Sequence, residues 1–367
     1  MDTWFATAAF GLEGLVKREL LDMGIEAKAE NGGARFQGSP EDAFKANLFL
    51  RTADRVLLIL KEEKVVTFEE LFQLVSSIPW EDYLPRNARF PVSGNCARSQ
   101  LMSISDCQSI TKKAIVERLK KRYKTQWFEE NGSEYAIQIT LHNDIARVAL
   151  NTSGDALNRR GYRTWTGEAP LRETLAAAMV LLSPWRKDTP VYDPCCGTGT
   201  LLIEAALIQS RRAPGLQRKF AMENWQMMSR KQSEFIRGEA QALYDPSLIQ
   251  DISGSDKDPE ALNLCRKHLR QAGLQSHIHV EEKDLRDVKL PQKDIQFFAN
   301  PPYGERLGDR KIAEKIYRDL GELVSRHPGS RMGVLTAHHG FERFYGKKAQ
   351  RKRRLYNGRL ECEYLVY

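Results

Sequence analysis

The sequence VYDPCCGTGT, residues 191–200, decides the fold of the second half of the chain. Its first two residues predict a strand, and its two glycines predict a tight loop. A helix is expected next, because apolar residues recur on one helical face: Leu201, Leu202, Ala205 and Ile208. Strand, glycine loop and helix form the nucleotide-binding turn of a doubly wound sheet. The stretch lacks both the Gly-Lys-Ser/Thr of a Walker loop and the full dinucleotide fingerprint, and a turn that merely needs glycine remains an alternative.

Three later strands are predicted to end in polar residues. Residues 249–255 lead to Asp256, residues 278–281 lead to Asp284, and the apolar run 295–299 leads to Asn300. Because ligands bind at the carboxyl ends of parallel strands, we expect these side chains to meet at one edge. Asp256 stands where a carboxylate can accept both ribose hydroxyls of a nucleoside, and Asp284 where it can accept an adenine amino group.

The tetrapeptide Asn300-Pro301-Pro302-Tyr303 follows the last of these strands. Two prolines end a sheet ladder, so the stretch could be an ordinary loop. It could also hold a planar amino group, since the Asn300 side chain and the Pro301 carbonyl are acceptors and Tyr303 offers a ring for stacking. N-methylation of a nucleobase amine requires this set. The four residues do not distinguish guanine N2, adenine N6 and cytosine N4.

Length and composition indicate an ordinary globular protein. The 367 residues suggest two or three domains, with 41% hydrophobic and 28% charged residues. The N-terminus has no signal-peptide pattern, and no apolar run approaches the roughly 18 residues that would cross a bilayer. The six cysteines form no C-x-x-C pair, so no metal site is expected. Reduced thiols and the absence of a leader favour a cytoplasmic protein without a membrane partner.

Basic residues cluster in two regions. Residues 86–163 hold 14 Lys/Arg against 7 Asp/Glu, residues 343–359 hold 8 Lys/Arg and no acid, and the rest sums to about −7. This distribution predicts a footprint for a polyanion. A solvated amphipathic helix is the alternative for the first region. The candidate phosphate contacts are Lys112, Lys113, Lys120, Lys121, Arg159, Arg160, Arg163, Lys347 and Arg351.

The chain divides into three predicted domains. Residues 1–64 form an α+β unit, residues 65–163 a second unit with paired strands at 135–140 and 145–150, and residues 164–367 the nucleotide-binding unit. The third begins with a linker at 164–169 and ends in a hairpin whose turn is Asn357-Gly358. Because 57 residues separate Gly199 from Asp256, against about 20 in the plain fold, residues 211–251 must include an insertion, which could border a target base.

On these motifs the third domain resembles the class I S-adenosylmethionine-dependent methyltransferases that modify amino groups. Residues 193–200 look like their motif I, Asp256 like the ribose acid, Asp284 like the adenine contact, and Asn300 to Tyr303 like the catalytic tetrapeptide. The resemblance implies a Rossmann-like α/β domain whose seven-stranded sheet ends in an antiparallel hairpin. It implies S-adenosylmethionine as cofactor, bound by Thr174, Asp193, Pro194, Cys195, Gly197, Thr198, Gly199, Asp256, Lys257, Asp284, Leu285 and Asn300.

Residues 65–163 resemble a THUMP RNA-binding domain, chiefly over residues 99–123, and residues 1–64 look like the ferredoxin-like unit that precedes it. The whole arrangement is similar to the bacterial enzymes that methylate guanine N2 in large-subunit (23S) ribosomal RNA. It implies a structured RNA or a ribosome assembly intermediate as substrate. Transfer RNA, DNA adenine N6 and a non-enzymatic RNA-binding role stay open as alternatives, and nothing in the sequence indicates the oligomeric state.

Overall fold

The computed structural model describes residues 1–163, 171–291, 293–304 and 309–367. The predicted linker at 164–169 lies outside these ranges. The strands form two seven-stranded sheets. We call residues 1–163, which carry the first sheet, the front half, and residues 171–367, which carry the second, the back half.

One continuous sheet runs through the front half. Its order is β2-β3-β1-β4-β7-β6-β5, with only β5 and β6 parallel. Strand β4 pairs with β1 over residues 53–58 and with β7 over residues 57–64, so the two predicted front domains share this strand. In chain order the elements are β1 (Asp2–Ala8), α1 (Glu13–Asp22), β2 (Ala27–Glu30), β3 (Gly33–Gly38), α2 (Pro40–Phe49), β4 (Ala53–Lys64), α3 (Phe68–Ser76), α4 (Trp80–Tyr83), β5 (Val92–Ala97), α5 (Ile104–Tyr123), β6 (Ile137–His142) and β7 (Ile145–Asn151).

Alternating side chains explain why β6 and β7 pair as predicted. In β6 every second residue is buried, namely Ile137, Ile139 and Leu141. Opposite them, Val148 pairs with Ile139 and Ala146 with Leu141 in an antiparallel register. Because side chains of a strand point alternately to its two faces, both strands direct an apolar face into the front core.

The back half has the predicted α/β sheet, in the order β10-β9-β8-β11-β12-β14-β13. The strands β8 to β12 run parallel to one another. Strand β14 runs antiparallel to β12, and β13 runs antiparallel to β14, which confirms the terminal hairpin. The strand order reverses between β8 and β11, the point where ligands bind in such sheets. The elements are α6 (Glu173–Leu182), β8 (Val191–Asp193), α7 (Thr200–Gln209), α8 (Arg230–Leu243), β9 (Ile252–Asp256), α9 (Pro259–Ala272), β10 (Ile278–Glu282), β11 (Gln296–Ala299), α10 (Asp309–Ser325), β12 (Arg331–Thr336), α11 (Phe341–Tyr345), β13 (Arg351–Asn357) and β14 (Leu360–Val366).

The hairpin turn lies one residue later than predicted. Asn357 still pairs with Leu360, so the two-residue loop is Gly358-Arg359 and not Asn357-Gly358. Gly358 has a φ of +66°. A two-residue hairpin loop favours glycine at its first position when φ there is positive. This preference explains why the loop begins at Gly358.

The insertion packs on the front half, and the suggestion that it could border a target base stays a prediction. Trp225 stacks on Tyr135 of the front half, with ring centroids 4.7 Å apart, and its Nε1–H donates to the Glu134 carbonyl at 2.9 Å. A Cβ on Gly215 would lie 2.9 Å from the Leu48 Cα, so the chain passes directly over α2. Further insertion side chains buried in the front core are Ala213, Phe220, Met222, Met228, Ile236 and Ala240. The back half therefore supplies part of the front core.

A buried charge network joins the two halves around Glu204 of α7. Glu204 is fully buried, and its Oε1 lies 3.4 Å from the Arg160 Nε and accepts the Tyr162 hydroxyl at 3.0 Å. Arg160 also donates to the main-chain carbonyls of Leu157 and Arg51. Burial raises the pKa of Glu204, and Arg160 and Arg51 oppose that shift.

This network overturns two predicted RNA contacts. Arg160 is 3% exposed and pairs with Glu204, so its guanidinium does not reach a ligand at the surface. The Arg163 side chain is 8% exposed and pairs with Glu173 at 2.9 Å, while also donating to the Leu171 carbonyl. Both cations hold residues 160–163 against the back half, because a buried carboxylate requires a nearby counter-charge.

Replacing Glu204 with Ala is expected to lower the free energy of unfolding by about 3–5 kcal/mol, because it leaves the Arg160 guanidinium buried without its carboxylate. Urea denaturation followed by circular dichroism measures this change. The control is Glu239→Ala on the exposed face of α8, for which we expect a change within about 0.5 kcal/mol. Equal stabilities for the two variants would contradict a structural role for the network.

Candidate active site

The glycine loop between β8 and α7 has a fixed shape. Asp193 ends β8, and its Oδ1 accepts the Cys195 N–H at 3.0 Å. The Gly197 N–H donates to Asp256 Oδ2 at 2.8 Å, which ties the loop to the end of β9. Gly199 has a φ of +83°, and a Cβ there would meet Cys265 Sγ at 2.5 Å. Glycine is therefore required at position 199 by backbone conformation and by packing.

Buried Asp193 lies beneath this loop. It is 1% exposed, and burial raises the pKa of its carboxyl to about 8, although the bond from Cys195 opposes the shift. The nearby charge of Asp256 raises the pKa as well. The Asp193 carboxyl therefore holds its proton more tightly than an exposed carboxyl does.

Asp256 ends β9, and its carboxylate has lone pairs left for a ligand. Its two oxygens accept one main-chain N–H each, from Gly197 at 2.8 Å and from Asp258 at 3.0 Å. A carboxylate has about four lone-pair sites, so two remain for a ligand. Asp258 then caps α9, with Pro259 in the first turn.

Asp284 follows β10 and is held by Arg286. The Arg286 Nε and Nη2 donate to the two carboxylate oxygens, each at 2.9 Å, and its main-chain N–H donates at 3.0 Å. These bonds hold the pKa of Asp284 well below its usual range, so the group stays an ionised acceptor. Arg286 was missed by the sequence analysis. Its only signal was a cation two residues after the expected adenine contact.

Two adjoining clefts open at the carboxyl edge of the sheet, and Asn300 lines both. One, of about 540 Å³, also contacts Asp256 and Asp284. The other, of about 560 Å³, contacts Asp193. The predicted cofactor residues that line them are Asp193, Pro194, Cys195, Gly197, Thr198, Asp256, Lys257, Asp284, Leu285 and Asn300. Two further predicted cofactor residues are not among those that line the clefts: Thr174, 4% exposed on α6, and buried Gly199.

The position of Tyr303 differs from the expectation. Its ring packs against the core of the back half, and its hydroxyl donates to Asn300 Oδ1 at 2.5 Å. Burial raises the pKa of Tyr303, and Cys362 raises it further, so the hydroxyl stays a neutral donor. The ring is thus partly buried against the core, and one of the two lone pairs of Asn300 Oδ1 is occupied, while stacking of a base on Tyr303 stays a prediction. Pro302 is exposed in the first cleft, whereas Pro301 is buried.

The remaining predicted RNA contacts lie on the surface. Lys113, Lys121, Arg159, Lys347 and Arg351 are exposed, and Lys120 is half-buried. Lys112 is more constrained, because its Nζ donates to the Phe90 carbonyl at 3.1 Å and pairs with Glu130 at 2.8 Å. These residues stay predictions for RNA contact.

Within the described ranges, no cluster of His, Cys, Asp and Glu has the arrangement of a metal site, and none of the helices is both long and apolar enough to span a membrane. All six cysteines are free thiols.

Comparisons with known proteins identify the three parts of the chain. Residues 160–365 match the RMKL-like methyltransferase domain, residues 3–57 the RlmL ferredoxin-like domain, and residues 65–151 the THUMP domain. YpsC of Bacillus subtilis, named as an RNA methyltransferase candidate, is 40% identical over 100% of this chain and 95% of its own length. Ribosomal RNA large subunit methyltransferase K/L of Syntrophotalea carbinolica is 33% identical over 99% of this chain. The chain spans about half of that relative, 53%.

A solved structure supports the same assignment. SMU.472, a methyltransferase candidate in complex with SAH, is 40% identical and superimposes with a TM-score of 0.94. The match covers 100% of this chain and 97% of that one. The ferredoxin-like, THUMP and methyltransferase composition predicted from the sequence is thereby confirmed.

Gly199→Ala is expected to destabilise the protein by at least about 1–2 kcal/mol, because of the positive φ alone, and by more because the Cβ overlaps Cys265 Sγ. Gly238→Ala is the matched control. Gly238 lies on exposed α8, where an added Cβ meets nothing within 4 Å, and alanine should stabilise the helix by about 0.5–1 kcal/mol. Opposite signs in urea denaturation are the expected result, and equal signs would contradict it.

Proposed function

The chain belongs to the RMKL-like methyltransferase family, and on that premise we propose that it methylates the exocyclic N2 amino group of a guanine in structured RNA, with large-subunit ribosomal RNA as substrate. The observation that carries the proposal is the convergence at one sheet edge of Asn300 with the glycine loop, Asp256 and Asp284. A nucleoside cofactor and a base amine can meet there, because the two clefts share Asn300.

S-adenosylmethionine is the cofactor, as predicted. The family consists of methyltransferases, and the relative SMU.472 binds SAH, the product that remains after methyl transfer. The residues of this chain fit that group. Asp256 retains acceptor sites for ribose hydroxyls, and ionised Asp284 can accept from an adenine amino group. Gly197 lines the cleft without a side chain that would fill it.

The tetrapeptide offers two acceptors for the base. Asn300 Oδ1 and the Pro301 carbonyl can each accept a hydrogen bond from one N–H of a planar amine. Those bonds keep the nitrogen lone pair from delocalising into the ring, which makes the amine a better nucleophile. When bound, S-adenosylmethionine would supply an electrophilic methyl group on a sulfonium, whose sulfur would keep the electron pair of the broken bond, and the methylated nitrogen would release one of its two protons to water. Most of the acceleration then comes from positioning.

Tyr303 shares the Asn300 acceptor with the base. Its hydroxyl donates to Asn300 Oδ1 in this structure, and the amide oxygen has a second lone pair that can accept the incoming amine. Stacking of the base on the Tyr303 ring stays a proposal of the same step. The hydroxyl satisfies the Asn300 carbonyl before the substrate arrives.

The substrate assignment rests on the front half and on the relatives. The THUMP domain at residues 65–151 favours RNA over DNA, and the exposed cations of α5 suit phosphate contacts. The relative from Syntrophotalea carbinolica is named for large-subunit ribosomal RNA, which favours that RNA over transfer RNA. A cytoplasmic location and an assembly intermediate as natural substrate follow from the same proposal.

Asn300→Ala is expected to lower the rate of methyl transfer by about 100-fold or more, because an acceptor that touches the reacting amine is lost. Affinity for SAH, measured by calorimetry, should stay within about threefold. The control is Asn263→Ala on the exposed face of α9, which should retain full activity. Full activity of the Asn300 variant would contradict the assignment of this site.

Asp284→Ala is expected to abolish the preference of the protein for SAH over an analogue without the adenine amino group. The wild-type protein should bind SAH about 10- to 150-fold more tightly than its inosine analogue, which lacks the amino group that donates to the carboxylate. The variant should bind both equally. The control Asp287→Ala, an exposed neighbour, should keep the preference. Retained discrimination in the Asp284 variant would show that another group recognises the adenine.

The substrate is tested by transfer of tritiated methyl groups to total RNA from cells that lack the enzyme. Label in large ribosomal RNA, recovered as N2-methylguanosine, is the expected result. Label in transfer RNA would show that transfer RNA is the substrate and would leave the proposed methyl-transfer reaction unchanged. Label only in DNA, as N6-methyladenine, would overturn the proposal.

A further inference from the structure

The terminal hairpin reaches the edge of the sheet that carries the candidate active site. Strand β12 runs parallel to β11, and β14 runs back against β12 with Thr336 opposite Glu363. The hairpin loop therefore projects from the same carboxyl edge as Asn300. Asn357 and Cys362 of the hairpin lie close enough to Tyr303 of the tetrapeptide to act on the pKa of its hydroxyl, which places the base of the loop beside the site.

The outer strand of this hairpin, β13, is strongly cationic. Residues 351–354 are Arg-Lys-Arg-Arg, and all four are exposed. Lys352 pairs with Glu342, and Arg354 with Glu361 at 3.2 Å. Among the residues that the structure describes, the other hairpin cations have no carboxylate partner: Arg351, Arg353 and Arg359. Since β13 is an edge strand, these charges face solvent and can approach a polyanion.

An exposed aromatic ring of the front half lies directly beside these cations. Phe10 is 57% exposed and packs edge-on against Tyr356 of β13, with ring centroids 5.8 Å apart and planes at 84°. The next residue, Gly11, has a φ of +90°, and a Cβ there would lie 2.7 Å from the Arg354 carbonyl oxygen. Arg353 Nη1 approaches the Gly11 carbonyl at 3.5 Å. The loop that carries Phe10 is thus held against the hairpin.

We propose that Phe10 and the hairpin cations Arg353 and Arg359 bind the single-stranded RNA segment that flanks the methylated nucleotide. A base stacks on the Phe10 ring, and the adjoining phosphates lie against the two guanidiniums. This inference rests on the proposed function. The combination of cations along a backbone track with an exposed aromatic ring is the pattern that binds single strands without requiring a fixed sequence.

The position of this surface suits a base that leaves its stack. A nucleotide turned into the site pulls its neighbours away from the helix, and those neighbours need new stacking and charge partners. The surface lies at the same sheet edge as Asn300 and combines a residue from each half of the chain. It would therefore act only in the assembled two-half structure.

The probe is deproteinised large-subunit ribosomal RNA from cells that lack the enzyme, with binding measured at several salt concentrations. Phe10→Ala should raise the Kd about 5- to 150-fold, because base–aromatic stacking is lost, whereas Phe10→Trp should stay within about threefold of wild type. Arg353→Gln and Arg359→Gln should each reduce the slope of log K against log salt by about 1. The control is Phe235→Ala, which removes a 67% exposed ring on α8 of the insertion and should bind as wild type does.

Calorimetric SAH binding separates this inference from misfolding, because none of these variants touches the cofactor residues and all should bind SAH as wild type does. If the wild-type protein binds and methylates the RNA but the Phe10 and arginine variants do so equally well, the surface is not used and the inference fails. Failure of the wild-type protein to bind any RNA would instead overturn the proposed function. Loss of binding in Phe10→Ala only with ribosomal particles, not with deproteinised RNA, would mean a protein partner and would also overturn the inference.

Discussion

The burial of Glu204 is the constraint on which the rest of the structure depends. This carboxylate lies on the helix that begins at the glycine loop, yet its partners Arg160 and Tyr162 belong to the segment that closes the front half. Arg51, also in the front half, contributes charge and donates to carbonyls at and beyond the end of the same helix. A buried charge is tolerated only with such partners. The cofactor loop is therefore held in place by residues from the front half.

Apolar packing joins the same two halves at a second place. The insertion between the first two strands of the back sheet places Trp225 and its neighbours in the front core. Together with the charge network, this packing sets the distance between the THUMP domain and the methyltransferase site. A loosely tethered RNA-binding module would bind its target without fixing which nucleotide reaches the pocket. Two rigid connections fix that distance, which favours selection of a nucleotide by geometry.

The site shows how neighbouring side chains prepare the functional ones. Arg286 keeps Asp284 ionised, and the Asp256 carboxylate fixes the Gly197 N–H while leaving acceptor sites toward the cleft. Tyr303 occupies the acceptor of Asn300 with a donor of its own. Each arrangement gives a polar group of the site a hydrogen-bond partner. Without that partner the group would destabilise the fold, because an unpaired donor or acceptor in a partly buried site loses its bonds to water.

The sequence by itself determined the local elements and the residue types at their ends. Period-2 and helical patterns predicted the paired strands β6 and β7, the parallel sheet with its hairpin, and the acidic and amide residues at the carboxyl edge, because side-chain direction follows directly from backbone geometry. Only the tertiary structure decided which charges are buried. Arg160 and Arg163 look like surface cations beside Arg159 until the two halves pack against them, and Tyr303 looks like a free ring although its hydroxyl bonds to Asn300. Burial and pairing depend on residues distant in the chain, such as Glu204 for Arg160, and no local pattern records that distance.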